Sequence, residues 1–157
     1  MRALSVDLGG THAAVAIVED QKMEKVVTLQ LAETQSLAPV LSLVSAALHG
    51  LLGEERSEHA PKYLVMGFPG IVDAGANRVS AINGKYEGAI EFDFPAWARQ
   101  EFRLPILLEN DARLALLGEC YGGAAQGETD VVMFTLGTGI GGVAMMNGKP
   151  LHGKHGQ

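Results

Sequence analysis

Two stretches of this chain read as variants of one pattern. Residues 8–18 run Leu-Gly-Gly-Thr-His-Ala-Ala-Val-Ala-Ile-Val, and residues 136–146 run Leu-Gly-Thr-Gly-Ile-Gly-Gly-Val-Ala-Met-Met. Each sets a Gly/Thr cluster between apolar runs and returns to Val-Ala at the same offset. The pattern predicts a strand, a tight glycine turn and a second strand. Glycine in such a turn lets backbone N–H groups converge on one point, and converging N–H groups bind anions. Two such turns can hold one polyphosphate between them, which points to phosphoryl transfer.

The rest of the chain frames these two segments. Residues 2–7 predict a buried strand ending at Asp7, and 14–19 and 24–31 predict two more, joined through Glu19-Asp20-Gln21-Lys22 as a polar hairpin turn. Three antiparallel strands in a row form a meander. Residues 36–52 carry Leu37, Val40, Leu41, Val44, Ala47, Leu48 and Leu51 at helical spacing, and Gly53 stops the helix. A short strand is predicted at 63–66, ending in Gly67-Phe68-Pro69-Gly70, and a long irregular stretch follows to about residue 93. Pro95 then opens a short helix. A strand at 106–109, a helix at 111–121 and strands at 131–135 and 141–146 complete the order. This is a mixed α/β arrangement. It matches a ribonuclease-H-like, actin-type ATPase lobe: an antiparallel meander extended by parallel strands, with flanking helices. In that duplicated architecture the phosphate hairpin recurs at the start of each lobe. Residues 1–120 are therefore expected to form the first lobe, and 121–157 the truncated beginning of the second. A two-strand remnant cannot bury its own apolar faces, so the sequence is expected to be part of a longer protein or to need a partner.

Composition narrows the function classes. A 47% share of apolar residues supports a packed core and argues against disorder. The net charge of −6, with no Lys/Arg cluster, argues against a nucleic-acid partner. A single cysteine, Cys120, leaves no internal disulfide, fits a reducing compartment and reads as a structural thiol in a helix. Asp7 interrupts the first apolar run, which therefore has no signal-peptide core. No run approaches the ~20 apolar residues of a membrane span. The expectation is a cytoplasmic protein without a membrane partner.

Four groups carry chemistry. Asp7 beside Gly9-Gly10-Thr11 sets a carboxylate at a strand end against a glycine turn, which suits a metal–phosphate site; an ordinary hairpin with a turn Asp is the alternative. Residues 137–142 fit Gly-x-Gly-x-x-Gly, but a strand and an Asn147-Gly148 turn follow where a dinucleotide fold needs a helix. Glu109-Asn110-Asp111 lies at the C-terminal end of a strand, where α/β proteins hold ligands. Asn and Asp are also preferred helix N-caps, so one residue can cap while the other faces a cleft. A carboxylate there could take a proton from an attacking hydroxyl. Gly67-Phe68-Pro69-Gly70 and the loop through Asn83-Gly84 are either a functional loop or a surface excursion. His12, His152 and His155 read as loop histidines rather than metal ligands.

Asp-x-Gly-Gly-Thr at 7–11, Gly-x-Pro-Gly at 67–70, Glu-Asn-Asp at 109–111 and Leu-Gly-Thr-Gly-Ile-Gly-Gly at 136–142 occur in this order. With this spacing the chain resembles the ROK family of bacterial sugar kinases and sugar-responsive repressors over essentially its whole length. The resemblance implies phosphorylation of a hexose or N-acetylhexosamine, usually at the 6-hydroxyl, with MgATP. It makes Asp111 the catalytic base, Asn110 a sugar ligand, and Gly70 and Asn83 neighbours of the sugar pocket. It assigns the phosphates to Asp7, Gly9, Gly10 and Thr11 on one side and to Gly137, Thr138, Gly139 and Gly142 on the other, with Asp7 at the Mg²⁺. It also implies a cleft that closes on sugar and excludes water, and a tendency to dimerise.

The family's Gly-Glu-x-Gly-His segment and its cysteine-rich zinc loop would fall beyond residue 157. The polypeptide alone is accordingly expected to be a poor kinase or none. Only six residues precede Asp7, too few for a repressor's helix-turn-helix. The rival readings are a sugar-sensing domain of a ROK-type repressor, a sugar-independent actin-type ATPase, and a truncated domain without activity.

Overall fold

A computed structural model describes residues 1–31, 36–53, 60–137, 139–154 and 156. Strands β1 (Arg2–Leu8), β2 (His12–Glu19) and β3 (Lys22–Gln30) form the antiparallel meander. The β2–β3 turn uses Asp20 and Gln21, both at positive φ (46° and 70°), the backbone twist that suits a two-residue hairpin. Helix α1 (Leu37–Leu52) follows, and its stripe of Leu37, Val40, Leu41, Val44 and Leu48 is buried. Gly53, at φ 57°, closes it with a hydrogen bond from its N–H to the His49 carbonyl.

Strand β4 (Leu64–Phe68) then pairs parallel to β1, and β7 (Ile106–Asn110) parallel to β4. The central sheet has the order β3-β2-β1-β4-β7. Helix α2 (Phe94–Phe102) precedes β7, with Pro95 in its first turn and the Asp93 carboxylate capping the Ala96 N–H. Helix α3 (Asp111–Gly122) leaves β7 directly. The chain ends in a second sheet of β8 (Val131–Leu136), β9 (Ile140–Met146) and β10 (Lys149–Pro150). The architecture is the mixed α/β lobe expected from the sequence.

One expectation is corrected. The stretch after Gly70 is not irregular throughout: β5 (Gly70–Asp73) and β6 (Arg78–Ile82) form an antiparallel hairpin. The turn is made by Asp73, which accepts the Ala76 N–H, and by Asn77 at φ 49°. The Asn77 side chain then accepts the Leu108 N–H of β7, tying this hairpin to the sheet.

Strand alternation sorts the central sheet into two faces. Leu4, Val6 and Leu8 join Leu64, Met66, Phe68 and the α1 stripe in the main core. Asp7 points the other way, and its register partner on β4 is Gly67. A smaller cluster of Leu116, Val143 and Met145 joins α3 to the second sheet, with half-buried Cys120 packed on it. Among the described residues no helix is long and apolar enough to cross a membrane.

Candidate active site

The site begins with Gly67. A Cβ built there would lie 3.3 Å from the Asp7 carboxylate and 3.6 Å from the Asp111 Cα. The two acids therefore flank a single backbone position at the C-terminal ends of β1 and β7. Only a residue without a side chain lets them approach across the sheet.

Asn110 is the N-cap of α3: its side-chain carbonyl accepts the Arg113 N–H. Its amide nitrogen donates to the Gly70 carbonyl at 3.1 Å and to Asp111 Oδ1 at 2.9 Å. The Ala112 N–H adds a second bond to the same Oδ1, at 2.8 Å. Capping and cleft-facing roles thus coexist on adjacent residues. With Oδ1 held twice, Asp111 Oδ2 has no hydrogen bond to another described residue.

Partial burial pushes the Asp111 carboxyl up, the Ala112 N–H opposes this, and the negative charge of Asp7 raises it further. Partial burial likewise pushes the Asp7 carboxyl up. Burial first, then the charges of Asp7 and Asp111, push the Tyr86 hydroxyl up to about 12. Glu109 goes the other way. Burial would raise it, but hydrogen bonds from the Asn110 N–H, Arg113 and His152 outweigh that and hold it down. Arg113 is buried, with Nη1 2.9 Å from Glu109 Oε1 and Nη2 donating to the Gly156 carbonyl.

The first glycine turn is closed by the Gly9 N–H on the His12 carbonyl at 2.9 Å, and the second by the Gly137 N–H on the Gly139 carbonyl at 2.9 Å. Those two amides are used within the turns. The amides of Gly10, Thr11 and Gly139 make no hydrogen bond to described residues. The Thr11 hydroxyl sits 2.7 Å from His12 Nδ1.

A cleft of ≈ 590 Å³ gathers these parts. Gly10 lines it from the first turn, Gly137, Gly139 and Gly142 from the second, and Asn110 and Asp111 from the strand end. Asn83 enters from the loop after β6. Gly70 lines an adjoining recess of ≈ 290 Å³ that shares Asn110 and Gly142 with the cleft. A Cβ on Gly70 would meet the Ala81 carbonyl at 2.7 Å, so glycine is required by the close β5–β6 approach. Asp7, Gly9 and Thr11 lie on the same strand end and turn without lining the cleft, while Thr138 and His155 fall outside the described residues. His152 contacts Glu109 at 3.4 Å.

Two residues of the site were not among the sequence candidates. The Tyr86 hydroxyl donates to the Gly9 carbonyl and the Lys85 ammonium to the Gly10 carbonyl, so one loop clasps the first turn with adjacent side chains. Tyr86 packs on Phe68 with ring centroids 5.2 Å apart. Its φ of 62° is uncommon for a bulky residue and is held by these contacts. The sequence signal was Gly84-Lys85-Tyr86, a turn followed by a cation and an aromatic inside a polar loop.

Comparison with known proteins follows the same lines. The chain is 32% identical to a glucokinase of Thermotoga maritima, over 99% of its own length and 48% of that protein's. It is 29% identical to an N-acetylmannosamine kinase of Haemophilus influenzae, over 94% and 47% respectively. Its fold superposes with a TM-score of 0.78 on a ROK family glucokinase from Streptomyces griseus, solved with glucose and AMPPNP. That match has 25% identity and covers 99% of this chain and 48% of that one. The chain thus spans about half the length of the curated relatives it matches. The profile of the ROK family matches residues 3–157, and the chain belongs to that family.

Proposed function

We propose that this chain is the N-terminal portion of an ATP-dependent sugar kinase that phosphorylates a hexose or N-acetylhexosamine at its 6-hydroxyl. On this reading residues 1–120 form the sugar-binding lobe and 121–157 open the second lobe, and the complete protein is the active species. The observation that carries the reading is the cleft itself, in which both glycine turns and Asp111 share one wall-to-wall space. The relatives that are glucokinases and N-acetylmannosamine kinases support the substrate class.

The geometry supports the following chemistry. Asp111 Oδ2, with no hydrogen bond to another described residue, accepts the proton of the sugar hydroxyl. Its raised pKa brings a carboxylate closer to the proton affinity that a base needs near neutral pH. The Asn110 carbonyl, already accepting one N–H, keeps a lone pair for a sugar hydroxyl. The amides of Gly10 and Gly139, free of described partners, can meet phosphate oxygens from opposite sides of the cleft. Asp7 is the residue that would hold Mg²⁺, whose charge offsets that of the phosphates. Positioning and charge stabilisation, rather than covalent chemistry by the protein, supply the rate.

The test is a coupled ADP-release assay of the complete protein against a panel of hexoses and N-acetylhexosamines. Sugar-dependent ADP release with at least one of them is expected. Release independent of every sugar would favour a simple ATPase, and none at all would favour a sugar sensor.

A further inference from the structure

We infer that Lys85 is a further catalytic residue of this cleft, its ammonium hydrogen-bonding the phosphoryl group as that group passes from nucleotide to sugar. The inference rests on the kinase reading above and adds a residue that the sequence motifs do not contain.

Position comes first. Lys85 lines the cleft together with Asp111 and the second glycine turn, and its ammonium donates to the carbonyl of Gly10 in the first. Asn83, two residues earlier, lines the same space. Lys85 therefore stands at the first glycine turn in the same space that Asp111 and the second turn line, the space a transferred group must cross.

Charge comes second. Asp7 and Asp111 flank Gly67 at this end of the sheet, and a nucleotide adds more negative charge. Lys85 is the one cation among the described residues that line the cleft. It makes no ion pair with a described residue, and its single hydrogen bond to Gly10 leaves two of its three donors for a ligand.

Placement comes third. The loop holds three left-handed residues within five positions, Gly84 (φ 72°), Tyr86 (φ 62°) and Gly88 (φ 88°). Tyr86 is anchored on Phe68 and on the Gly9 carbonyl, so the backbone carrying Lys85 is fixed before any ligand arrives. Because Tyr86 already clasps the turn, a merely structural Lys85 would duplicate that contact. Electrostatic stabilisation is strongest when the donor is fixed in advance in this way.

The step balances simply. The sugar oxygen gives its proton to Asp111 and forms a bond to the γ-phosphorus; the bond from that phosphorus to the bridging oxygen breaks, and ADP leaves with the electron pair. Lys85 gains and loses no covalent partner. Its hydrogen bonds follow the phosphoryl oxygens and strengthen as charge develops on them.

The experiment uses the complete protein and the variants Lys85→Met and Lys85→Arg. Lys85→Met is expected to lower kcat by roughly 100-fold while the sugar KM stays within about threefold. Lys85→Arg should recover at least about tenfold of that loss. Lys85→Met should also weaken binding of ADP with aluminium fluoride and sugar, a mimic of the group in flight, far more than binding of AMPPNP. An active wild-type protein whose Lys85→Met variant keeps kcat within about threefold overturns the Lys85 assignment alone. Equal losses in kcat and melting temperature for both variants would reduce Lys85 to a structural clasp and overturn it as well. A wild-type protein without sugar-dependent phosphate transfer removes the kinase reading and this inference together.

Discussion

The two glycine turns share a sequence pattern but not a setting. The first joins two strands inside a five-stranded sheet, flanked by β3 and β4, and its carbonyls are clasped by Lys85 and Tyr86. Val15 and Ile17 beyond it are fully buried. The second joins β8 and β9, whose inner face packs on α3 through Val143 and Met145. Its other face is in water: Phe134 is 70% exposed, and Leu136 and Ile140, at the edge of the cleft, are 82% and 81% exposed. A glycine turn thus encodes the local hairpin and its free amides. The protein wrapped around the hairpin decides whether the amides are held rigidly.

The comparison can be broken in several ways, and the largest effect is chemical. Asp111→Asn in the complete protein should cost about 10³-fold in kcat and leave sugar affinity nearly unchanged, read by turnover and calorimetric titration. The variant should not lose melting temperature at neutral pH. The folded-state pKa of Asp111 is raised, so the fold binds more protons than the unfolded chain, and its stability falls as pH rises above the usual carboxylate range. Removing the charge removes that penalty.

The next effect concerns the outer face of the second sheet. If the remainder of the protein covers it, Phe134→Ala should cost about 3 kcal/mol in urea unfolding of the complete protein. A change within about 0.5 kcal/mol would mean that the face stays in water there too.

A smaller effect separates the turns themselves. A Cβ on Gly139 meets nothing within 4 Å, whereas one on Gly9 meets the His12 carbonyl at 3.0 Å. Gly139→Ala should therefore weaken MgATP binding about tenfold without lowering the melting temperature. Gly9→Ala should lower both, because the turn backbone must shift. Equal melting losses in the two variants would erase the distinction.

The smallest is a shift in pH dependence. Asp7 raises the Asp111 carboxyl through its charge. Asp7→Asn should move the acidic limb of the kcat/KM profile to lower pH, since the base then ionises more easily. A limb that stays in place would separate the two acids electrostatically.

What the sequence could reveal divides along the same line. The meander, α1, β4 and β7 were legible because period-2 and helical apolar spacing reports local burial. Glu109-Asn110-Asp111 was legible as both cap and cleft group because each role depends only on its own strand end and helix start. The β5–β6 hairpin was missed because its strands are four and five residues long and its Ala-Gly-Ala-Asn turn dilutes the alternation. Lys85 and Tyr86 were missed for a different reason. Their partners, Gly10 and Gly9, lie 75 and 77 residues away in sequence, and no local pattern encodes such a contact. The burial of Arg113 was invisible likewise, since it depends on Gly156 returning from beyond the second sheet.

The most direct measurement is a crystal structure of the complete protein with AMPPNP and its sugar. The phosphate chain is expected between the turns, hydrogen-bonded to the amides of both Gly10 and Gly139, with the sugar hydroxyl at Asp111. Phosphates that touch one turn only, or lie outside the cleft, would contradict the claim that the two turns act as one grip.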